Sequence, residues 1–245
     1  MSKLIFFDTE TTGNTEKDFL CQIAYKIYPA TSGDGNESFV DLYKPPVKIP
    51  PEVSAIHHIT NKMVLDKPSF KESGDWPKIK KLFEDEDSIV VAHNAPFDLL
   101  MIKKEGIEPK KFICTLRIAR HLDKEEKMDR YNLQYLRYLL EIEINATAHD
   151  ALGDVLVLEK LFERLKNKMM GEENIEEDKA IEKMIEISSH PLLFRTFNFG
   201  KYLGKKIEDV LATDRGYLGW LLAQKLENDQ IDEDWIYTLK HYLEK

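Results

Sequence analysis

Leu4-Ile5-Phe6-Phe7-Asp8-Thr9-Glu10-Thr11-Thr12-Gly13 is the stretch on which the reading of this chain turns. An apolar run of strand character ends in two acids, Asp8 and Glu10, spaced two apart. Residues i and i+2 of a strand share a face, so both carboxylates project together where the strand stops. Like charges side by side repel, and a fold that keeps them places something cationic between them. Acids converging at a strand end suit a hard divalent cation such as Mg²⁺. A strand that simply runs into a polar Thr-Thr-Gly turn fits the same residues. Alone, the stretch leaves both readings open.

Outward from it, strands are expected at 4–8, 19–28 and 37–43. Turn-rich Thr31-Ser32-Gly33-Asp34-Gly35-Asn36 separates the last two, which makes an antiparallel meander. A proline-bearing loop (Pro45, Pro46, Pro50, Pro51) leads into Ile56-His57-His58-Ile59-Thr60, and Trp76, Ile79, Leu82 and Phe83 recur at helical spacing. Ile89-Val90-Val91-Ala92 reads as a buried strand feeding a helix, with Asn94 as N-cap, Pro96 in the first turn and Gly106 at the end. A short strand at 112–114 and helices near 115–122 and 131–140 follow. A helix from Ala151 to Lys166 then carries the apolar stripe Val155, Leu158, Phe162, Leu165. Strands first, then strands alternating with helices, predict an α/β fold: a mixed sheet flanked by helices.

The expected division is a domain over 1–168, an acidic helical connector over 169–189, and a small C-terminal module over 190–245. The connector contains GEENIEEDKAIEKMIEI at 171–187, whose charge reads as a solvated face, and the module has helices around Tyr217–Leu226 and Trp235–Leu243. With 42% hydrophobic and 32% charged residues, the chain of 245 is a globular protein. Its net charge of −9 argues against coating long duplex DNA, but not against gripping a strand end through a local basic patch. Cys21 and Cys114, both in apolar segments, read as buried thiols of a reducing compartment, too few for a disulfide framework or a zinc site. No secretory signal and no stretch near the ~20 apolar residues of a membrane span is present, so a cytoplasmic location without membrane contact is expected.

Acids recur at two further element ends. Asp98 falls in the first turns of a helix after His93-Asn94-Ala95-Pro96-Phe97. His149-Asp150-Ala151-Leu152-Gly153-Asp154 opens another. Taken singly, Asp98 reads as a helix-dipole acid and Asp150 as an N-cap. If both helix starts pack beside the end of the first strand, four carboxylates and a histidine converge. That set suits phosphodiester hydrolysis on two Mg²⁺ (or Mn²⁺) ions about 3.5–4 Å apart. An imidazole with a pKa near ~6.5 is suited to deprotonate water.

Asp-x-Glu-Thr-Thr-Gly, His-Asn-Ala-x-Phe-Asp and His-x-Ala-x-x-Asp, in this order across residues 1–165, together resemble the DEDDh (DnaQ-like) 3′–5′ exonucleases, which have a ribonuclease-H-like fold. The resemblance implies that Asp8, Glu10, Asp98 and Asp154 hold the metals and that His149 is the general base. The sister tyrosine subclass would carry Tyr at position 150, which here is Asp150. It also assigns substrate contact to Thr11, Thr12, Gly13, Ile56, His57, Asn94 and Phe97.

In the C-terminal module, Phe197-x-Phe-Gly-Lys-Tyr-x-Gly-Lys and Asp214-x-Gly-Tyr-Leu-x-Trp-Leu are similar to the exodeoxyribonuclease X branch of that family. Segment 194–206 has four cations (Arg195, Lys201, Lys205, Lys206), four aromatics and no acid. Interleaved rings and cations bind single strands, and a hairpin with an apolar inner face gives the same pattern. The implied activity is a 3′–5′ exodeoxyribonuclease acting on DNA with a free 3′ end, single-stranded or at a duplex end, within repair or replication. A polymerase proofreading subunit and a 3′–5′ exoribonuclease acting on RNA are the enzymatic alternatives. A strand-end binding module is the non-enzymatic one, but four repelling acids serve no purpose in a pure binder.

Overall fold

The computed structural model describes residues 3–29, 38–144, 151–227 and 232–244. In chain order the strands and helices are β1 (Lys3–Thr11), β2 (Leu20–Tyr28), β3 (Ser38–Leu42), α1 (Pro51–His57), α2 (Trp76–Phe83), β4 (Ser88–Ala92), α3 (Ala95–Lys104), β5 (Phe112–Cys114), α4 (Thr115–Leu122), α5 (Leu133–Leu139), α6 (Ala151–Glu173), α7 (Glu177–Ser188), α8 (Ile207–Thr213), α9 (Arg215–Glu227) and α10 (Glu233–Leu243). They form two compact units, one of Met1–Leu122 with Arg130–Ser189 and one of Asp123–Asp129 with His190–Lys245.

The first unit is built on a five-stranded sheet in the order β3-β2-β1-β4-β5. β1 and β2 pair antiparallel, as do β2 and β3, while β1, β4 and β5 run parallel. Adjacent side chains of β1 show why it lies in the middle. Phe6 packs edge-on against Phe162 of α6 at 5.3 Å, and Phe7 packs edge-on against Phe83 of α2 at 5.2 Å. Both faces of β1 are therefore buried. Ile5 and Phe7 share a core with Ile79, Phe83, Ala95 and Ile102 on the α2/α3 side. On the opposite side an ion pair of 2.7 Å between Lys26 of β2 and the buried Glu159 fixes α6 over the sheet.

Two irregularities shape the end of β1. Its pairing with β4 stops at Phe6↔Val91, so residues 7–11 run on beyond that neighbour. Its register with β2 jumps from Glu10↔Gln22 to Thr11↔Leu20, which leaves Cys21 as the extra residue of a bulge. Cys21 is fully buried, and burial, reinforced by the charge of Glu10, pushes its thiol up to about 12.

One expected loop is helical, and the expected acidic helical connector is packed into the first unit. Pro51 does not extend the loop but sits at the first position of α1, where its missing N–H costs nothing. Residues 169–189 are not a solvated connector: α6 runs on to Glu173, and Ala180, Met184 and Ser188 of α7 are fully buried. Ser188 accepts from the buried Arg117 through its carbonyl (2.6 Å), and its hydroxyl accepts from the Cys114 N–H (2.8 Å). The acids of α7 occupy only its outer face, which is why composition made the segment look detached.

The second unit has its own core of Phe194, Phe197, Ile207, Val210, Leu218, Leu221, Trp235, Leu239 and Tyr242. Segment 194–206 turns back on itself, with Thr196 bridged to Lys206 and the Phe197 N–H donating to the Lys205 carbonyl at 2.9 Å. Gly200 and Gly204 take φ of 69° and 75°, values that favour glycine. Residues 123–129 belong here because Glu126 accepts from the Arg195 N–H (3.2 Å) and the Thr196 hydroxyl (2.6 Å). α8 is an element that the sequence reading did not anticipate.

Candidate active site

Asp8 and Glu10 have the parity of Phe6, so they face α6. α6 starts at this level and brings Asp154 in its first turn. One carboxylate oxygen from each of Asp8, Glu10 and Asp154 lies within 4.8 Å of the others. Asp8 and Glu10 are half-buried and Asp154 is buried. Three negative charges at this spacing, partly removed from water, form a hard-oxygen donor set matched to Mg²⁺ or Mn²⁺.

Asp98 reaches the same strand end from the opposite layer. Thr9 has the parity of Phe7 and faces α3, and its N–H and hydroxyl both donate to Asp98 Oδ1, at 3.1 and 2.7 Å. Burial pushes the Asp98 carboxyl up to about 7, against the pull of those two bonds. A buried acid so disfavoured as an anion is what a nearby cation relieves. His149 and Asp150 lie outside the described residues.

The loop after β1 is self-supporting. Burial raises the Asp18 carboxyl, but bonds from the Thr15 side chain and N–H and from Thr12, with Lys104 nearby, outweigh it and hold it below the usual range. The Thr12 hydroxyl donates to Asp18 at 2.9 Å, and the Thr11 hydroxyl to the Gly13 carbonyl at 2.5 Å. A Cβ at Gly13 would sit 2.5 Å from that carboxylate, so a larger residue would have to displace it from its Thr12 and Thr15 partners. The side chains of Thr11 and Thr12 thus shape the loop.

His57 is buried at the end of α1. Its Nδ1 accepts from the Ile59 N–H at 3.0 Å, which leaves Nε2 protonated and donating to the Thr11 carbonyl at 3.2 Å. The ring thereby ties α1 to the end of β1, and its neighbour Ile56 is 53% exposed, an apolar side chain offered at the surface. Asn94 occupies the N-cap position of α3 in the left-handed conformation, φ 66°, and its exposed side chain makes no capping bond. Position, not capping chemistry, is its contribution. Phe97 is half-buried beside it.

One contact escaped the sequence reading. Gln134 of α5 donates from Nε2 to Asp154 Oδ1 at 2.5 Å. Arg137 donates from Nη1 to Gln134 Oε1 at 3.4 Å and from Nη2 to the Ile144 carbonyl at 2.6 Å. A polar residue on an amphipathic helix carries no mark of such a partner twenty residues away.

In the second unit the four basic residues do not form one patch. Arg195 and Lys206 line a cavity of about 580 Å³ that also contains Glu125, Glu126 and Glu208, where the charges roughly balance. Lys201 lies elsewhere, over the rings of Tyr202 and Tyr217, and Lys205 is exposed.

Known proteins share this arrangement. Residues 5–162 match the family described as Exonuclease, and residues 197–225 match the Exodeoxyribonuclease X-like C-terminal family. Exodeoxyribonuclease 10 of Escherichia coli K12 is 34% identical over 210 residues, covering 83% of each chain. DNA polymerase III subunit epsilon of Treponema pallidum is 33% identical over 165 residues, 64% of this chain and 73% of the relative. Among solved structures, exonuclease X in complex with 5′ overhanging duplex DNA superimposes with a TM-score of 0.56 at 25% identity, over 76% of this chain and 99% of that one. E. coli exonuclease I in complex with a dT13 oligonucleotide has the same fold, with a TM-score of 0.57 at 20% identity, over 71% of this chain and 43% of that one. On the sheet order, the acid cluster at the end of β1 and a family match over most of the first unit, the chain belongs to the DnaQ-like 3′–5′ exonucleases of ribonuclease-H-like fold.

Proposed function

We propose that this 3′–5′ exonuclease acts on DNA, releasing nucleoside 5′-monophosphates from a free 3′ end with the aid of two Mg²⁺ or Mn²⁺ ions. The observation that carries the reading is the clustering of Asp8, Glu10 and Asp154 within 4.8 Å where β1 outruns β4. Asp8, Glu10, Asp154 and Asp98 would hold the ions. Bound there, divalent cations supply Lewis-acid stabilisation of the charge on both the attacking and the leaving oxygen. His149 takes the proton of the attacking water; its place in the His-x-Ala-x-x-Asp motif supports this role. The backbone of Thr11–Gly13, the exposed Ile56, Asn94 and Phe97 receive the terminal nucleotide, and His57 holds α1 in place for it.

A relative matched over 83% of both chains, together with the C-terminal family match, favours a free-standing exodeoxyribonuclease over a proofreading subunit. No helix among the described residues is long and apolar enough to cross a membrane. Cys21 and Cys114, buried thiols in no disulfide, suit a reducing compartment such as the cytoplasm. End-labelled single-stranded DNA, duplex DNA and RNA, digested side by side with Mg²⁺, Mn²⁺ or chelator, test the reading. Metal-dependent shortening of DNA from the 3′ end is expected. Cutting that resists chelator, or RNA cut in preference to DNA, would overturn it.

A further inference from the structure

Trp220 is the outermost ring of an aromatic ladder on the second unit. Tyr202 and Tyr217 meet edge to face at 4.9 Å, and Tyr217 and Trp220 lie 5.5 Å apart with their planes 36° from parallel. The inner end of the ladder is core, since Phe197 contacts both Tyr202 and Tyr217. The outer end is not. Trp220 is 56% exposed and Leu203, on the adjoining turn, is 66% exposed. The core of the unit is already served by Trp235, which stacks on Phe197 at 5.4 Å. An indole left half in water adds little to such a core.

A cation stands over the same ladder. Lys201 Nζ lies 4.7 Å from the Tyr202 ring centroid and 5.8 Å from that of Tyr217. Asp214 holds this arrangement together: its Oδ2 accepts from the Tyr202 hydroxyl at 2.6 Å and from Lys201 at 3.2 Å, and its Oδ1 accepts from the Tyr217 N–H at 3.2 Å. Gly200 is part of the construction, because a Cβ there would press on the Tyr217 hydroxyl at 3.3 Å. Ammonium, rings and turn are thus fixed before any ligand arrives, and Lys205 on the same turn is exposed.

From this geometry we infer that the second unit carries a binding surface for single-stranded DNA, in which a base stacks on Trp220 and Lys201 and Lys205 meet the backbone phosphates. A flat exposed ring is indifferent to sequence, because every base has a π-face, and the flanking ammonium groups supply the complementary charge. The inference rests on the proposal that the substrate is DNA.

The test uses the full chain in chelator, where binding is read without cleavage, with a fluorescent 30-nucleotide oligo-dT followed by anisotropy at several salt concentrations. Trp220→Ala is expected to weaken binding roughly tenfold with the salt slope unchanged, because stacking releases no counterions. Trp220→Phe keeps most of the affinity, and Lys201→Ala flattens the slope by about 0.7 for each phosphate no longer neutralised. Hydrolysis of a tetranucleotide in Mg²⁺ should be the same in all four proteins. Wild-type affinity in Trp220→Ala overturns the inference. So does a matching loss on the tetranucleotide, which would make the ladder structural, or a loss of self-association without loss of DNA binding, which would give the face to a second copy. If the wild type binds oligo-dT yet cuts nothing, the exonuclease reading fails while this one stands.

Discussion

Asp8 separates function from stability at the level of one residue. Without metal it stands within 4.8 Å of two other carboxylates, so its charge opposes folding. In chelator, Asp8→Asn should therefore melt at or above the wild-type temperature. In Mg²⁺ the wild type should gain thermal stability by ligand linkage and the variant should not, while its cleavage is abolished. Calorimetry in both buffers beside an activity assay checks this, and a variant that melts lower in chelator would point to a structural role. Gln134 is the complementary case, a positioning residue whose amide holds a carboxylate oxygen of Asp154. Gln134→Ala removes one constraint on Asp154, and about a tenfold loss in metal-dependent rate is expected, with a higher Mg²⁺ requirement, as for other groups that support metal ligands. Titration of activity against Mg²⁺, together with direct measurement of Mn²⁺ affinity, distinguishes this from general destabilisation, which would leave the metal requirement alone.

At the scale of elements, the turn from β4 into α3 is held by His93. Its Nε2 donates to the Tyr131 carbonyl at 2.7 Å, which leaves Nδ1 to pair with the Thr115 hydroxyl at 2.9 Å. Burial pushes this imidazole down to about 4, with the Tyr131 bond opposing. The folded state therefore prefers the neutral ring, whereas the unfolded chain takes up its proton near ~6.5. The stabilisation is fully present above ~6.5 and is lost as pH falls towards about 4. In chemical denaturation, the gap between wild type and His93→Asn should narrow by on the order of 2–3 kcal/mol from pH 7 to pH 4.5. A constant gap would mean that the ring takes up its proton in the fold as readily as in the unfolded chain.

For the whole molecule, the informative cut lies between Ser189 and His190, where the two units divide. Ending the chain near residue 170 would strip α7 from the first unit, removing the buried Ala180 and Met184 from its core and the Ser188 carbonyl from the buried Arg117. That truncation should lose at least about 3 kcal/mol, as large core deletions do. A chain ending at Ser189 should melt cooperatively and cut short single strands nearly as the full chain does. Its affinity for long DNA should be weaker and its salt dependence flatter, as fewer counterions are released. Melting curves of both truncations and binding at two salt concentrations decide it. Unaltered long-DNA affinity in the chain ending at Ser189 would remove the second unit from substrate binding.

The alternation of β1 determined in advance that Asp8 and Glu10 share a face, and the helical stripe of α6 determined that Asp154 opens a helix packed on a sheet. Periodicity is a local property, and it is written into the order of residues. The limits of β2, β3 and β5 and the mixed sheet were legible for the same reason, whereas β1 runs three residues past its expected end, to Thr11. What only tertiary structure decided depends on partners distant in the chain. The acids of 171–187 say nothing of the buried inner face of α7, because one helix face can be charged while the other meets β5 and α4. The convergence of Asp154 with Asp8 and Glu10, the reach of Asp98 to Thr9 from the opposite layer, the grip of Gln134 on Asp154 and the exposure of Trp220 beside the burial of Trp235 are all set by packing. Two tryptophans read alike in a sequence, and burial separates a core ring from one that faces water.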